Sequence, residues 1–279
     1  MVQAPSRRDR VRAATAQEIK DTARRLLVQQ GQDAATLRAI AGEMGMTAPA
    51  LYRYFGSREE LIKHVIADIF SELADDLQAA INAAGVAAAG AGQIAELTAK
   101  MVAACQEFRR WALAHKEEYS LLFGTPLPGV DERDEIIDEC GRKFGGTFFT
   151  LFLELWQRNP FPVPAREEID PGLSEELELY RDRLRIGLSE AELPVGAMVT
   201  FLHCWTKLYG AVTLEAFDHL RFALDDAAPM FDYTLSEMAT QLGLEYPPRL
   251  DTNARSWTRP PVGAARFMTP VRRGAGRQG

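Results

Sequence analysis

Apolar residues recur every three or four positions along most of the chain, and nowhere do they alternate with polar ones at a spacing of two. That periodicity predicts helices and no sheet. Ile19, Ala23, Leu26 and Leu27 form a stripe on a helix from about Ala14 to Gln30, ended by Gly31. A second helix covers roughly Leu37–Met44, with Ile40, Ala41 and Met44 inward and Gly45 at its C-terminal cap. The third runs nine residues, Thr47–Phe55. Thr47 is its cap, Pro49 falls in the first turn where a missing N–H does no harm, and Leu51 and Phe55 face the core. Ser57-Arg-Glu-Glu60 reads as a capping box ahead of Leu61, Ile62, Val65, Ile66, Ile69, Leu73 and Leu77, so a fourth helix continues to about residue 84. The Ala/Gly stretch beyond it, as far as Gln93, reads as a loose connection.

Only helical signals follow. Ile94–His115, Glu117–Phe123, Asp131–Trp156, Leu173–Leu188, Pro194–Phe217 and Pro229–Leu242 are the expected segments, with the proline-rich run after Trp156 as a break. The fold class expected is all-α: an N-terminal three-helix unit over 14–68 and a larger helical domain over 93–246. A flexible basic arm, 1–13, precedes them, and a disordered basic tail, 247–279, follows.

Composition changes this picture little; charge changes it more. Apolar residues make up 47% and charged residues 25% of the 279, ordinary for a globular protein. No apolar run is long enough for a membrane span, and the basic N-terminus lacks the apolar core of a secretory signal, so a cytoplasmic location is expected. The net charge of −7 is unevenly spread. Residues 1–63 carry 11 basic against 7 acidic residues, 249–279 carry 7 against 1, and 64–248 carry 14 against 31. Both ends are therefore suited to a polyanion while the middle is not. Cys105, Cys140 and Cys204 are odd in number and scattered, as expected of buried thiols in a reducing compartment.

The second and third helices, joined at Gly45, have the pattern of a helix-turn-helix, which makes double-stranded DNA the first partner to consider. Nine residues at 1.5 Å each span about 13 Å, matching a major groove roughly 12 Å wide. With Leu51 and Phe55 inward, the outer face shows Ala48, Pro49, Ala50, Tyr52 and Arg53. Arg53 is able to read a guanine edge with two hydrogen bonds, while the small residues let the backbone approach thymine methyls. Thr36, Thr47, Tyr52, Tyr54 and Arg58 are suited to phosphates, and Arg38 reaches backbone or base.

These residues resemble the TetR family of one-component transcriptional regulators over about 14–68. The likeness lies in T-L-R-A-I-A-G-E-M-G, M-T-A-P-A-L-Y-R-Y-F and the S-R-E-E-L-I continuation. The resemblance implies a helical homodimer whose N-terminal domains bind a palindromic operator and whose C-terminal domains bind a small effector and release DNA. Carried across, Arg38, Ala48, Pro49, Ala50 and Arg53 would face bases and Thr36, Thr47, Tyr52, Tyr54 and Arg58 the backbone. Members often place a hydrogen-bonding side chain where Ala48 stands, so direct readout here would rest on Arg53 and Arg38. The later W-T-K-L-Y-G looks like a subgroup with a Trp-x-x-x-His-Gly signature, with Tyr209 standing where that signature has histidine.

In the larger domain, Phe144, Phe148, Phe152 and Trp156 fall at four-residue spacing. Trp111, Tyr119, Phe123, Phe148, Phe152, Trp156, Trp205 and Tyr209 are candidates to line an apolar effector cavity of a few hundred Å³, or simply to fill a core. The last two long helices would form the dimer seam through Leu208, Val212, Leu220, Phe231, Leu235 and Met238. The histidines have no ligand spacing, and no nucleophile–base pair or phosphate loop is evident, so no metal, cofactor or catalysis is expected. An activator or effector-independent DNA-binding protein is the alternative. A small-molecule-binding protein or enzyme carrying an accessory bundle is the more distant one.

Overall fold

The computed structural model describes residues 6–31, 34–124, 134–184 and 187–246. They form ten α-helices: α1 (Arg7–Gln30), α2 (Leu37–Glu43), α3 (Ala48–Leu51), α4 (Arg58–Ala87), α5 (Gln93–Ala114), α6 (Lys116–Phe123), α7 (Glu135–Arg158), α8 (Pro171–Leu184), α9 (Val195–Ala216) and α10 (Ala228–Gln241). The all-helical expectation holds, and most boundaries fall within two or three residues of those expected. Residues 1–5 of the expected arm and the tail 247–279 lie outside the described residues.

α1 begins seven residues earlier than expected, so Arg7–Ala13 are helical and not part of an arm. The cause is local. Ser6 caps the helix by accepting the Asp9 N–H at 3.2 Å, and the Asp9 carboxylate accepts the Ser6 N–H at 3.2 Å. This reciprocal pair satisfies donors that the first turn leaves unbonded.

α2 ends as its Gly45 predicts. Gly45 adopts φ +63°, its N–H reaches the Gly42 carbonyl at 3.2 Å, and the Met46 N–H reaches Ala41 at 2.8 Å. This is the paired closure of a helix C-terminus that a left-handed residue allows. Beyond it, α3 is only four residues long, less than half the rod expected. The chain continues to Phe55 in tightening turns, the Arg53 N–H bonding Ala50 and the Tyr54 N–H bonding Leu51. Phe55 and Leu51 still reach the core together, because the tightened turns keep both on one side.

α4 is the backbone of the molecule, 30 residues or about 45 Å. Its N-terminus departs from the expected capping box in one detail. Ser57 accepts the Glu60 N–H at 3.1 Å, but the Glu60 carboxylate reaches past Ser57 to the Gly56 N–H at 2.7 Å. The Ala/Gly stretch expected to be a loose connection is helical to Ala87. Ala is the strongest helix former, and the turn occupies only 88–92, with Gly90 and Gly92 at positive φ. α4 then packs along α5 and α7, and its N-terminal half meets α1.

The buried stripe of α4, from Leu61 to Ile81, is therefore shared by the N-terminal bundle and the larger helical body. α5, α7, α9 and α10 complete that body. Arg109 on α5 donates twice to Glu215 on α9, at 2.5 and 2.6 Å, and its guanidinium lies 5.2 Å from the Phe231 ring centroid on α10. α9 enters by a close approach: a Cβ at Gly196 would stand 2.1 Å from the Pro164 carbonyl oxygen. Pro194 is the cap of α9 and not, as expected, its first residue.

Candidate nucleic-acid interface and regulatory cleft

The outer surface of the helix-turn-helix is assembled from short-range constraints. Leu51 is fully buried and Phe55 nearly so, which turns the opposite side of the same turns to solvent. Thr47, Pro49, Tyr52 and Arg53 are exposed there, Tyr52 by 54%, with Ala48 and Ala50 half-buried at its base. Thr36 and Arg38 are exposed at the start of α2. Thr36 caps α2, its hydroxyl oxygen accepting the Ala39 N–H at 3.1 Å, which leaves its O–H free to donate. Thr47 stands at the cap of α3 but makes no capping bond, contrary to expectation, so its hydroxyl is uncommitted there.

Two of the expected phosphate residues also serve the fold. Tyr54 is half-buried against the core, with less of its ring turned outward than that of Tyr52. Arg58 directs its Nε to the Ala35 carbonyl at 2.9 Å, so it braces the loop before α2 and is not simply a surface cation. The expected phosphate role is therefore shared with a structural one.

One candidate, the basic run Arg7–Arg12, expected as a mobile arm able to enter a minor groove, is instead helical. Because α1 starts at Arg7, its first turns lie beside the recognition segment, and Arg12 donates through Nη2 to the Arg53 carbonyl at 3.3 Å. Arg8, one turn earlier on the same helix, shares that side. The legible signal was Ser6-x-x-Asp9, a cap with its reciprocal acid. The cationic edge of this face is thus helical and fixed.

Two ion-pair groups link this unit to the rest. Arg24 on α1 reaches Glu72 on α4 at 2.7 Å and Glu118 on α6 at 3.4 Å. Burial lowers the affinity of Arg24 for its proton, but the two carboxylates outweigh it and leave its pKa raised. Lys63 on α4 meets Asp134, the cap of α7, at 2.5 Å. The hydrogen bond from Lys63 holds the Asp134 carboxyl below its ordinary range.

The aromatic residues chosen as an effector cavity divide into two sets. Phe148, Phe152 and Trp205 line a cleft among α5, α7, α9 and α10 together with Met101, Cys105 and Cys204. The other five do not reach it. Trp111 stacks on His115, with ring centroids 5.0 Å apart. Tyr119 is fully buried, and its phenol lies 2.7 Å from the Thr213 hydroxyl; burial pushes its pKa up. Phe123 packs against Tyr119, Phe144 and Tyr209. Trp156 donates to the Glu192 carbonyl at 2.8 Å. These are core and bracing contacts. The cleft holds about 40 Å³, well short of the few hundred expected; along its lining Phe152 packs edge-on against Phe201 and Phe148 against Trp205.

The expected dimer seam is also corrected. Leu208, Val212, Phe231, Leu235 and Met238 are buried within one subunit, and Leu220 is half-buried just after α9. α9 packs against both α10 and α5. The large apolar residues left outward in this region are Leu214, Phe222, Met230 and Tyr233, with Phe222 88% exposed.

A family model described as bacterial regulatory proteins, tetR family, matches residues 19–65. A second, described as tetracyclin repressor-like, C-terminal domain, matches residues 101–238. The chain belongs to the TetR family. The HTH-type transcriptional regulators Rv1816 of Mycobacterium tuberculosis (strain ATCC 25618 / H37Rv) and Mb1846 of Mycobacterium bovis are each 32% identical to it over 132 residues, 47% of this chain and 53% of theirs. The match thus spans about half the length of these curated relatives. Among solved structures, that of the regulatory protein SCO4313 superposes with a TM-score of 0.62 at 29% identity, covering 84% of this chain and all of the other. The fatty acid degradation regulator FadR from Bacillus halodurans shares the fold, with a TM-score of 0.51 at 14% identity over 81% of this chain and 97% of its own.

Proposed function

We propose that the chain is a DNA-binding transcriptional regulator of TetR type: a homodimeric repressor, cytoplasmic, held on a palindromic operator and released by a small hydrophobic effector. The observation that carries this reading is the exposed face from Thr47 to Arg53, anchored from behind by Leu51 and Phe55 and edged by Arg12 and Arg38. Its division of labour follows from chemistry. Arg53 and Arg38 would read base edges beside Ala48, Pro49 and Ala50. Thr36, Thr47, Tyr52, Tyr54, Arg58 and Arg12 would hold phosphates.

One such face covers only a few base pairs. Two copies 34–36 Å apart would read both half-sites, which is the physical case for pairing. The surface that fits this role is the outward side of α9 and α10 with the turn between them, where Leu214, Phe222, Met230 and Tyr233 are exposed. The domain division, 14–68 and 93–246, is then bridged by α4, with Arg24 and Lys63 as ties through which an effector would alter the spacing of the recognition helices.

A second reading, a DNA-binding regulator without an organic effector, draws on the aromatic cleft, whose volume of about 40 Å³ holds only a few waters. The larger hollow, about 380 Å³ beside Leu27, Lys116, Leu121 and Phe217, is the roomier place for an effector. Salt-dependent binding of the dimer to duplexes selected from random DNA tests the first part. Repetition with apolar small molecules separates the two readings. A chain that stays monomeric, or binds no duplex, refutes the proposal.

A further inference from the structure

The regulatory cleft has an unusual lining for its size. Met101 and Cys105 stand one turn apart on α5 and so share a face; Cys204 comes from α9 and Met238 from α10. Four sulfur-bearing side chains from three helices thus border one cleft, and no carboxylate, imidazole or amide side chain joins them. The two thiols are buried. Burial holds both as neutral thiols, Cys105 at about 12 and Cys204 at about 11.

Size and donor type select the ligand. An organic ligand needs a few hundred Å³, whereas about 40 Å³ suits a single ion. Hard cations require oxygen donors, which the lining side chains lack. Thiolate with thioether is the set that favours a soft monovalent ion. We propose that this cleft binds copper(I), with Cys105 and Cys204 as the two thiolate ligands and Met101 and Met238 as thioether neighbours. Binding is an exchange without redox change: one Cu⁺ replaces the protons of two thiols, two Cu–S bonds form, and two protons leave to solvent. The resulting complex carries one negative charge. The proposal concerns binding by the chain alone and is independent of its reading as a DNA-bound repressor.

The test is an anaerobic titration of the full, reduced chain against the coloured bicinchoninate complex of copper(I). The expected result is one copper withdrawn per chain, lost in both Cys105→Ser and Cys204→Ser and kept in Cys140→Ser, because Cys140 does not line the cleft. No withdrawal by the unaltered chain overturns the proposal. So does retention by either of the first two variants, or loss in the third. X-ray absorption at the copper edge of the unaltered, loaded chain gives a measurement that needs no variant to fold. A shell of sulfur alone supports the site; a nitrogen or oxygen ligand overturns it.

Discussion

Truncating Arg53 to Ala isolates the reading of bases from the stability of the fold. Its guanidinium makes no hydrogen bond or ion pair among the described residues; only its backbone carbonyl is engaged, by Arg12 at 3.3 Å, and that contact survives truncation. The free protein should therefore change in stability by less than about 0.5 kcal/mol, as exposed substitutions do. A bidentate contact to guanine is worth about 1–3 kcal/mol of discrimination, and a dimer makes two, so about 2–6 kcal/mol is at stake on the operator. At 1.4 kcal/mol per factor of ten, the loss is roughly 30-fold to 10⁴-fold. Fluorescence anisotropy with the selected operator, the operator changed at one guanine in each half, and an unrelated duplex, each at several salt concentrations, reads this directly. The loss should be confined to the operator, with the salt slope intact. An equal loss on all three duplexes, with the slope reduced by about 0.9 per lost contact, would make Arg53 a phosphate ligand and refute the reasoning.

Other substitutions probe the scaffold. Arg58→Ala should destabilise the N-terminal bundle by about 1–2 kcal/mol in urea unfolding, since the Ala35 carbonyl loses a charged donor at 2.9 Å; an unchanged midpoint would return Arg58 to a purely surface role. Gly196→Ala forces a Cβ to within 2.1 Å of the Pro164 carbonyl oxygen and should cost about 1–3 kcal/mol by the same measurement. Tyr119→Phe leaves Thr213 without its buried partner and should cost about 1 kcal/mol, with the fold kept as judged by circular dichroism. The Asp134 pKa is depressed in the folded state chiefly by the hydrogen bond from Lys63, so its contribution is present above the unfolded value near 3.9 and lost as pH falls through the lower folded value. Lys63→Met should therefore flatten the acid end of the stability profile, measured between about pH 2 and 5, and a profile of unchanged slope would exclude the contact.

Much of the N-terminal unit was legible because its determinants are local. The stripe Ile19–Leu27, the turn at Gly45 and the inward pair Leu51 and Phe55 all act within a turn or two of chain, where spacing alone decides the face. Even the misplaced start of α1 was written in Ser6 and Asp9, though composition pointed to an arm. The length of α3 was not legible. Nothing in Tyr52-Arg-Tyr forbids a regular helix, and it is the burial of Phe55 beside Leu51 that accompanies the tighter turns.

The larger domain marks the limit more sharply. Periodicity along α9 and α10 identifies Leu208, Val212, Phe231, Leu235 and Met238 as an apolar face but is silent on what covers it; packing against neighbouring helices of the same chain covered them, leaving Leu214, Phe222, Met230 and Tyr233 outward. Aromatic abundance likewise left open whether the rings enclose space or fill it. Helix type and phase depend on neighbours within one turn, and the chain encodes those by itself. Which stripes meet, and whether two cysteines 99 residues apart border one cleft, depends on three-dimensional packing among distant helices, and only the tertiary structure decided that.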